Sequence, residues 1–338
     1  MKLDELRVKL SNLEKDDIIK LAVEFYKLVP KAKKEDYDLD TLVNTPSVKK
    51  EKSSVKVEPI TITNIEAEVK AFIVNAKAQN YIDSNPVIPR KERATWRFKV
   101  KAWYKELTNG KNMDSDIAKR AEITKDLYEL LCESYHYSYF TTYDTFEAVG
   151  ISQMDFFQSV LILIEKSEGT TGLVSNGLGL IINKSYTMYS VLMDEWIDRL
   201  QIPEAKYDAL ELTKKMLIEN NFKPQTTQSK KFMYYGNDAN NEYRISEKNN
   251  NLAEMGFKLH ISLLEYDEAI QFYKKHAYQT DNEVKLYILI RLLFQFRLKD
   301  YIKSELDAAV KQGERLRDSL LNLKKTIETK NALPDYIR

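Results

Sequence analysis

Apolar residues recur at intervals of three and four along most of the chain, which is the spacing of one face of an α-helix. Residues 1–35 carry two such stretches, from Leu3 to Leu13 and from Ile18 to Leu28, and Pro30 ends the second. The pattern predicts a small N-terminal helical hairpin over 1–35.

The helical period is interrupted over residues 36–62. The stretch SVKKEKSSVKVEP is charged, contains serine and has no apolar repeat, so we predict an exposed linker here. The period resumes over 63–221 and predicts a central helical domain, in which ISQMDFFQSVLILIEK is a strongly apolar helix.

Residues 222–251 are polar and rich in asparagine, and they form an excursion from the helical body. Two structures are compatible with them. A small β-hairpin near 230–247 would pair the alternating Phe232 and Tyr234 with Tyr243 and Ile245. A disordered loop is the alternative.

The last segment, 252–338, has the helical period again and contains a faint internal repeat. LLEYDEAIQFYKKH at 263–276 is followed by LKDYIKSELDAA at 298–309, so that Tyr301 lies 35 positions after Tyr266. Over roughly 60 to 80 residues this segment resembles tetratricopeptide hairpins, whose unit is about 34 residues. The Trp, Leu-Gly and Pro positions of that family are absent. The resemblance implies stacked helical hairpins with a concave surface that binds other macromolecules.

Composition supports an all-α architecture with an irregular helical-repeat or bundle body. Among 338 residues only 9 are glycine and 8 are proline, whereas closely turned β proteins need glycine at their turns. The single cysteine excludes a disulfide within the chain and is typical of a reducing compartment, so a cytoplasmic protein is expected. The longest apolar runs, VLILI and LGLII, are far shorter than the ~20 residues of a spanning helix, and no membrane association is expected.

Charge is balanced overall, with 52 basic and 51 acidic residues, so a nucleic-acid role would need a local patch. PRKERATWRFKVKAWYK at 89–105 is such a patch. A helix at 90–107 would align one apolar face (Trp96, Val100, Trp103, Leu107) and one basic ridge (Arg93, Arg97, Lys101, Lys105). The ridge either contacts phosphates or is solvated or neutralised by acidic neighbours such as DLYELLCE.

Tyrosines are concentrated in ESYHYSYFTTYDTF at 133–146. Tyrosine is favoured at interfaces because it combines a large rigid area with a polar tip. The sequence therefore offers Tyr135, Tyr137, Tyr139 and Tyr143 as interface candidates. The alternative is a core with polar tips beneath a long connector.

Enzyme chemistry has one candidate, the pair Cys132 and His136, which would share a face of one helix. A cysteine nucleophile also needs an orienting partner and an oxyanion site, and the sequence offers neither. One cysteine and three histidines do not make a usual zinc cluster, and the glycines at 169–179 fit no phosphate loop. We interpret that glycine segment as a helix-to-helix connector and expect no cofactor or metal.

Three hypotheses for function follow. The first is a non-enzymatic protein-interaction or scaffold protein built on stacked helices, with an unidentified protein partner. The alternative is a nucleic-acid-associated protein that uses the basic amphipathic helix at 90–107. The second alternative is an enzyme that uses Cys132 and His136.

Overall fold

The computed structural model describes residues 3–36, 39, 43, 62–109, 116–184, 189–220, 237–279 and 281–337. Regular structure within these ranges is helical, and the β-structure there consists of one isolated parallel bridge between Tyr81 and Phe140. The prediction of an all-α protein is confirmed. The chain divides into two compact units, residues 1–60 and residues 61–338.

The first unit contains α1 (Leu3–Ser11), α2 (Lys15–Leu28) and α3 (Lys31–Asp36). Helices α1 and α2 correspond to the two stretches of apolar period at the start of the sequence. Most of the linker predicted over 36–62 lies outside the described residues.

The second unit is a longer series of helices. Up to residue 220 it comprises α4 (Ile62–Lys77), α5 (Arg90–Arg93), α6 (Trp96–Leu107), α7 (Ile117–Glu133), α8 (Thr145–Val149), α9 (Gln153–Gly179), a π-helical stretch (Leu180–Lys184), α10 (Tyr189–Arg199) and α11 (Pro203–Asn220). It continues with α12 (Asn237–Ser262), α13 (Tyr266–His276), α14 (Asn282–Gln295), α15 (Lys299–Lys311) and α16 (Asp318–Lys330).

The C-terminal half of α12 separates two hydrophobic cores. Leu252 and Leu259 are buried in the first core, which is formed with α4 and with α6 to α11. Phe257 and Ile261 are buried in the second core, which is formed with α13 to α16. Because a helix with apolar residues on opposite sides must bury both, this part of α12 is a wall common to the two cores.

The glycine segment at 169–179 is part of a helix rather than the predicted connector. Helix α9 runs from Gln153 to Gly179 with a kink at Gly169, whose φ of 67° and ψ of −161° are non-helical. This conformation is essentially restricted to glycine. The segment redirects a core helix, and it does not form a loop after a strand as a phosphate site would require.

The C-terminal segment repeats one turn geometry. Leu264 after α12 and Arg297 after α14 both have positive φ, and they lie 33 residues apart. The backbone N–H of the next residue donates to the carbonyl five residues earlier in each case, 3.0 Å from Glu265 to His260 and 3.0 Å from Leu298 to Leu293. Each bond closes a Schellman-type helix end.

The two tyrosines of this repeat, Tyr266 and Tyr301, are also neighbours in the structure. The rings of Tyr266 and Tyr301 lie 5.6 Å apart between centroids, at the starts of α13 and α15. Helices α12–α13 and α14–α15 are therefore two hairpins joined by the same kind of turn. Membership of the tetratricopeptide family stays a prediction.

The β-hairpin predicted near 230–247 is wrong in the part that the structure describes. Tyr243 and Ile245 lie in α12, while Phe232 and Tyr234 lie outside the described residues. The Asn220 side chain on α11 donates to the Ile245 carbonyl at 3.2 Å and so holds this turn of helix against α11. Once a helix has nucleated, each added residue gains one backbone hydrogen bond without a new nucleation cost, so extension of α12 is favoured over a short alternating pattern.

Candidate functional site

The segment at 90–107 forms two helices, α5 and α6, rather than one. Residues Ala94 and Thr95 separate them, and the Thr95 hydroxyl donates to the Glu92 carbonyl at 2.7 Å. The predicted apolar face is confirmed, since Trp96, Val100, Trp103 and Leu107 are all buried. The indole N–H of Trp103 donates to a carboxylate oxygen of Glu68 at 2.9 Å, which ties α6 to α4.

An aromatic cluster joins α6 to the tyrosine-rich connector. The ring of Phe140 stacks on Trp96 with centroids 4.0 Å apart and planes 19° apart. Phe72 on α4 and Tyr81 lie against the same ring of Phe140. Burial, reinforced by the charge of Glu92, raises the pKa of the Tyr81 hydroxyl. Connector and helix α6 are therefore neighbours in the first core.

Residues 90–105 contain seven arginine and lysine residues, which we call the basic segment. Most of these side chains face solvent. Five of them are exposed (Arg90, Lys91, Arg97, Lys99, Lys105) and two are half-buried (Arg93, Lys101). None of the seven makes an ion pair with a carboxylate in the described part of the chain, whereas Lys70 and Lys77 on α4 do. The exposed members of the basic segment thus form a positive surface that the described carboxylates do not neutralise.

The acidic stretch DLYELLCE on α7 does not neutralise this surface. Glu133 pairs with Lys77 of α4, with 3.0 Å between nitrogen and oxygen. Burial, with the negative charge of Glu129 next, raises the pKa of the Asp126 carboxyl. Internal pairing with α7, one alternative for the ridge, is therefore not what the described residues form.

Two of the four ridge residues serve the fold. The Arg93 guanidinium donates from Nη1 to the carbonyls of Ile82 at 2.8 Å and Asp83 at 2.5 Å, and so fastens the loop after α4. The Lys101 ammonium donates to the Gly150 carbonyl at the end of α8, with a distance of 3.4 Å. Arg97 and Lys105 are the ridge residues that present their charge to solvent.

This division of roles can be measured. We expect Arg93→Ala to lower the free energy of unfolding by about 1–3 kcal/mol, because two carbonyls lose a charged donor. We expect Arg97→Ala to change it by less than about 0.5 kcal/mol, since the side chain is exposed. Urea denaturation of both variants provides the comparison, and equal costs would contradict the assignment.

The four interface tyrosines separate into two pairs. The Tyr135 hydroxyl donates to Oδ1 of Asp144 at 2.6 Å, and Tyr139 is buried. Tyr143 is 101% exposed and open to a partner, whereas Tyr137 is 54% exposed and its ring stacks on Tyr139 with centroids 5.7 Å apart. Asp144 also accepts from the backbone N–H of Glu147 and caps α8, which fixes the connector just after Tyr143.

The structure brings the exposed Tyr143 and the basic segment to one region. Tyr143 lies just before α8, whose five residues span about 7.5 Å. The far end of α8 accepts the bond from Lys101. Phe98, 61% exposed, adds a third aromatic ring, and the Arg97 guanidinium lies 4.9 Å from its centroid. Sequence reasoning missed Phe98, although it is an aromatic residue between two bases and off the tryptophan face.

The Cys132 and His136 pair is not assembled as a nucleophile site. Helix α7 ends at Glu133, so His136 lies beyond the helix that was expected to carry both residues. The Cys132 side chain is fully buried in the first core, where the Gln153 amide lies 3.9 Å from its sulfur, whereas His136 is exposed. A thiol without solvent access cannot attack a substrate in this conformation.

Neither a metal-binding cluster nor a membrane-spanning helix occurs in the described ranges. No group of three or more His, Cys, Asp or Glu side chains there is placed to hold a metal ion. No helix there has the length and apolarity needed to cross a membrane.

The chain matches no protein-family model, no curated protein and no solved structure.

Proposed function

We propose that this protein binds single-stranded nucleic acid through the basic segment and the exposed rings beside it. One observation carries the proposal. The exposed arginine and lysine side chains at 90–105 make no ion pair with the described carboxylates. Arginine and lysine side chains without carboxylate partners attract phosphates, and each neutralised phosphate releases counterions.

The aromatic rings favour single strands over a duplex. Phe98, Tyr137 and Tyr143 are each more than half exposed. Single-strand binders combine a positive surface that follows the backbone with aromatic side chains on which bases stack. Bases in a duplex are already stacked and offer only their edges.

Fluorescence anisotropy of a labelled single-stranded oligonucleotide tests the charge contribution. The variant Arg90→Gln, Arg97→Gln, Lys105→Gln should bind about tenfold or more weakly, since an exposed charge pair contributes up to about 1 kcal/mol and 1.4 kcal/mol is tenfold. The matched control Lys215→Gln, Lys303→Gln, Lys311→Gln removes the same charge from exposed positions elsewhere. Equal loss in both variants would reduce the effect to net charge and contradict the proposed site.

A second comparison tests stacking at constant charge. Phe98→Ala with Tyr143→Ala should weaken binding by about fivefold or more, because base stacking on an aromatic ring contributes about 1–3 kcal/mol. Val191→Ala with Ile218→Ala removes exposed apolar side chains elsewhere and should leave affinity unchanged. Unchanged affinity in the aromatic variant would refute the single-strand preference.

A protein scaffold is the second candidate, and the repeated hairpins of the C-terminal segment favour it. Helices α13, α14 and α15 enclose a groove of about 240 Å³ lined in part by Leu286, Lys274 and Glu305. Stacked hairpins commonly bind partners on such surfaces. Affinity capture after nuclease treatment, comparing the native chain with Leu286→Glu, tests it. We expect the native chain to capture a protein partner after nuclease treatment and Leu286→Glu to lose it. Capture of the same proteins by both chains would contradict a role for this groove.

A further inference from the structure

Helix α2 has an apolar side that the first unit does not cover. Ile18, Leu21, Phe25 and Leu28 follow one another at intervals of three and four, and we call them the α2 stripe. None of the α2 residues is buried, and Phe25 and Leu28 are 55% and 76% exposed. Alternating intervals of three and four are the a and d positions of a helix that packs on another helix.

One flank of the α2 stripe carries two ion pairs within the helix. Lys20 pairs with Asp17 at 3.2 Å and Lys27 pairs with Glu24 at 2.8 Å. Val8 on α1 and Leu13 in the turn before α2 are further exposed apolar side chains of this unit. An apolar surface of this extent on a small helical unit marks an interaction site, because isolated short helices are marginal in water.

Two observations favour a second copy of this chain as the occupant. The exposed apolar side chains of residues 61–338 are scattered within the described ranges, as Val74 on α4, Val191 on α10 and Ile218 on α11 are, and they form no stripe like that of α2.

Charge gives the second observation. The first turn of α2 has a net charge of −1 (Lys15, Asp16, Asp17), and its last turn together with the start of α3 has a net charge of +1 (Glu24, Lys27, Lys31). Two antiparallel copies place each acidic end beside a basic end and oppose their helix dipoles. A parallel pair would align like charges.

We propose that the α2 stripe is the interface of an antiparallel dimer of this chain. Two-fold symmetry makes the contact self-complementary, so Ile18 of one copy lies level with Leu28 of the other, and Leu21 lies level with Phe25. The dimer is independent of nucleic-acid binding, so the two proposals can fail separately.

Light scattering coupled to size exclusion, on the full chain at micromolar concentration, tests the dimer. The native chain should have twice the mass of one chain, and Leu21→Glu with Phe25→Glu should have the mass of one chain. Val191→Glu with Ile218→Glu introduces the same charges at exposed apolar positions of the second unit and should stay dimeric. A monomeric native chain, or a stripe variant that remains dimeric, overturns the proposal.

Orientation is tested with a short bismaleimide crosslinker that joins two thiols. An Ile18→Cys chain mixed with a Leu28→Cys chain should give a crosslinked dimer, and either variant alone should not. The native chain is the control, since its single cysteine is buried. Crosslinking within each variant alone, without the mixed product, would overturn the antiparallel arrangement.

Discussion

Replacement of Trp196 by alanine should lower the free energy of unfolding by about 3–5 kcal/mol, the usual cost of removing a large buried aromatic side chain. Trp196 on α10 is fully buried in the first core. Its indole N–H donates to the Leu173 carbonyl of α9 at 2.9 Å. The substitution therefore opens a cavity and also removes a bond between α9 and α10.

Trp196 is in contact with Gly177, so the effect of a substitution at 177 should depend on the residue at 196. A Cβ at position 177 would lie 2.2 Å from Nε1 of Trp196, so Gly177→Ala forces the indole out of place at a cost of about 1–3 kcal/mol. With alanine at 196, the same change should be neutral or stabilise by up to about 1 kcal/mol, since alanine favours helix over glycine.

A double-mutant cycle measured by urea denaturation distinguishes the outcomes. Strong non-additivity between positions 177 and 196 is expected because the two residues are in contact. Gly179→Ala is the control, since a Cβ there has no neighbour within 4 Å, and it should stabilise the protein by about 0.5–1 kcal/mol. Additive costs in the cycle would show that Gly177 does not accommodate the indole.

Gly256→Ala should be the second large effect, with a loss of about 1–3 kcal/mol or more from overpacking. A Cβ at position 256 would lie 2.0 Å from the Phe272 ring, which packs from α13 against α12. Because α12 is the wall common to both cores, the ring has little room to move.

Calorimetry tests the close contact between Gly256 and the Phe272 ring. Gly256→Ala should lower the Tm, and adding Phe272→Leu should recover part of the loss by removing ring atoms that the new methyl group meets. An unchanged or raised Tm in the single variant would contradict the close packing of α12 on α13.

Much of the fold follows from the helical period. The burial of Trp96, Val100, Trp103 and Leu107 is predictable because residues three and four apart share one side of a helix. The period does not reveal that Gly177 and Gly256 admit neighbouring rings, because that depends on how separate helices cross. The helix at Tyr243 and Ile245 also escaped prediction, since the alternating pattern there is short and its contact with α11 is remote in sequence.

The candidate site was predictable as a set of residue types but not as a geometry. The i, i+4 spacing of the ridge treats Arg93 and Arg97 alike, yet of the two only Arg93 donates to backbone carbonyls ten and eleven residues earlier. The exposure of Tyr143 and the burial of Tyr139 depend on how the connector packs against Trp96 through Phe140. Such contacts between distant segments are set by tertiary packing, which periodicity does not encode.

The salt dependence of oligonucleotide binding tests the proposed function most directly. Each phosphate contact on a single strand contributes about −0.7 to the slope of log Kobs against log salt concentration, so four or five contacts predict a slope of about −3. The variant Arg90→Gln, Arg97→Gln, Lys105→Gln should reduce this slope to about −1, while Lys215→Gln, Lys303→Gln, Lys311→Gln should leave it unchanged. No binding at low salt, or the same slope in all three proteins, would contradict nucleic-acid recognition by the basic segment.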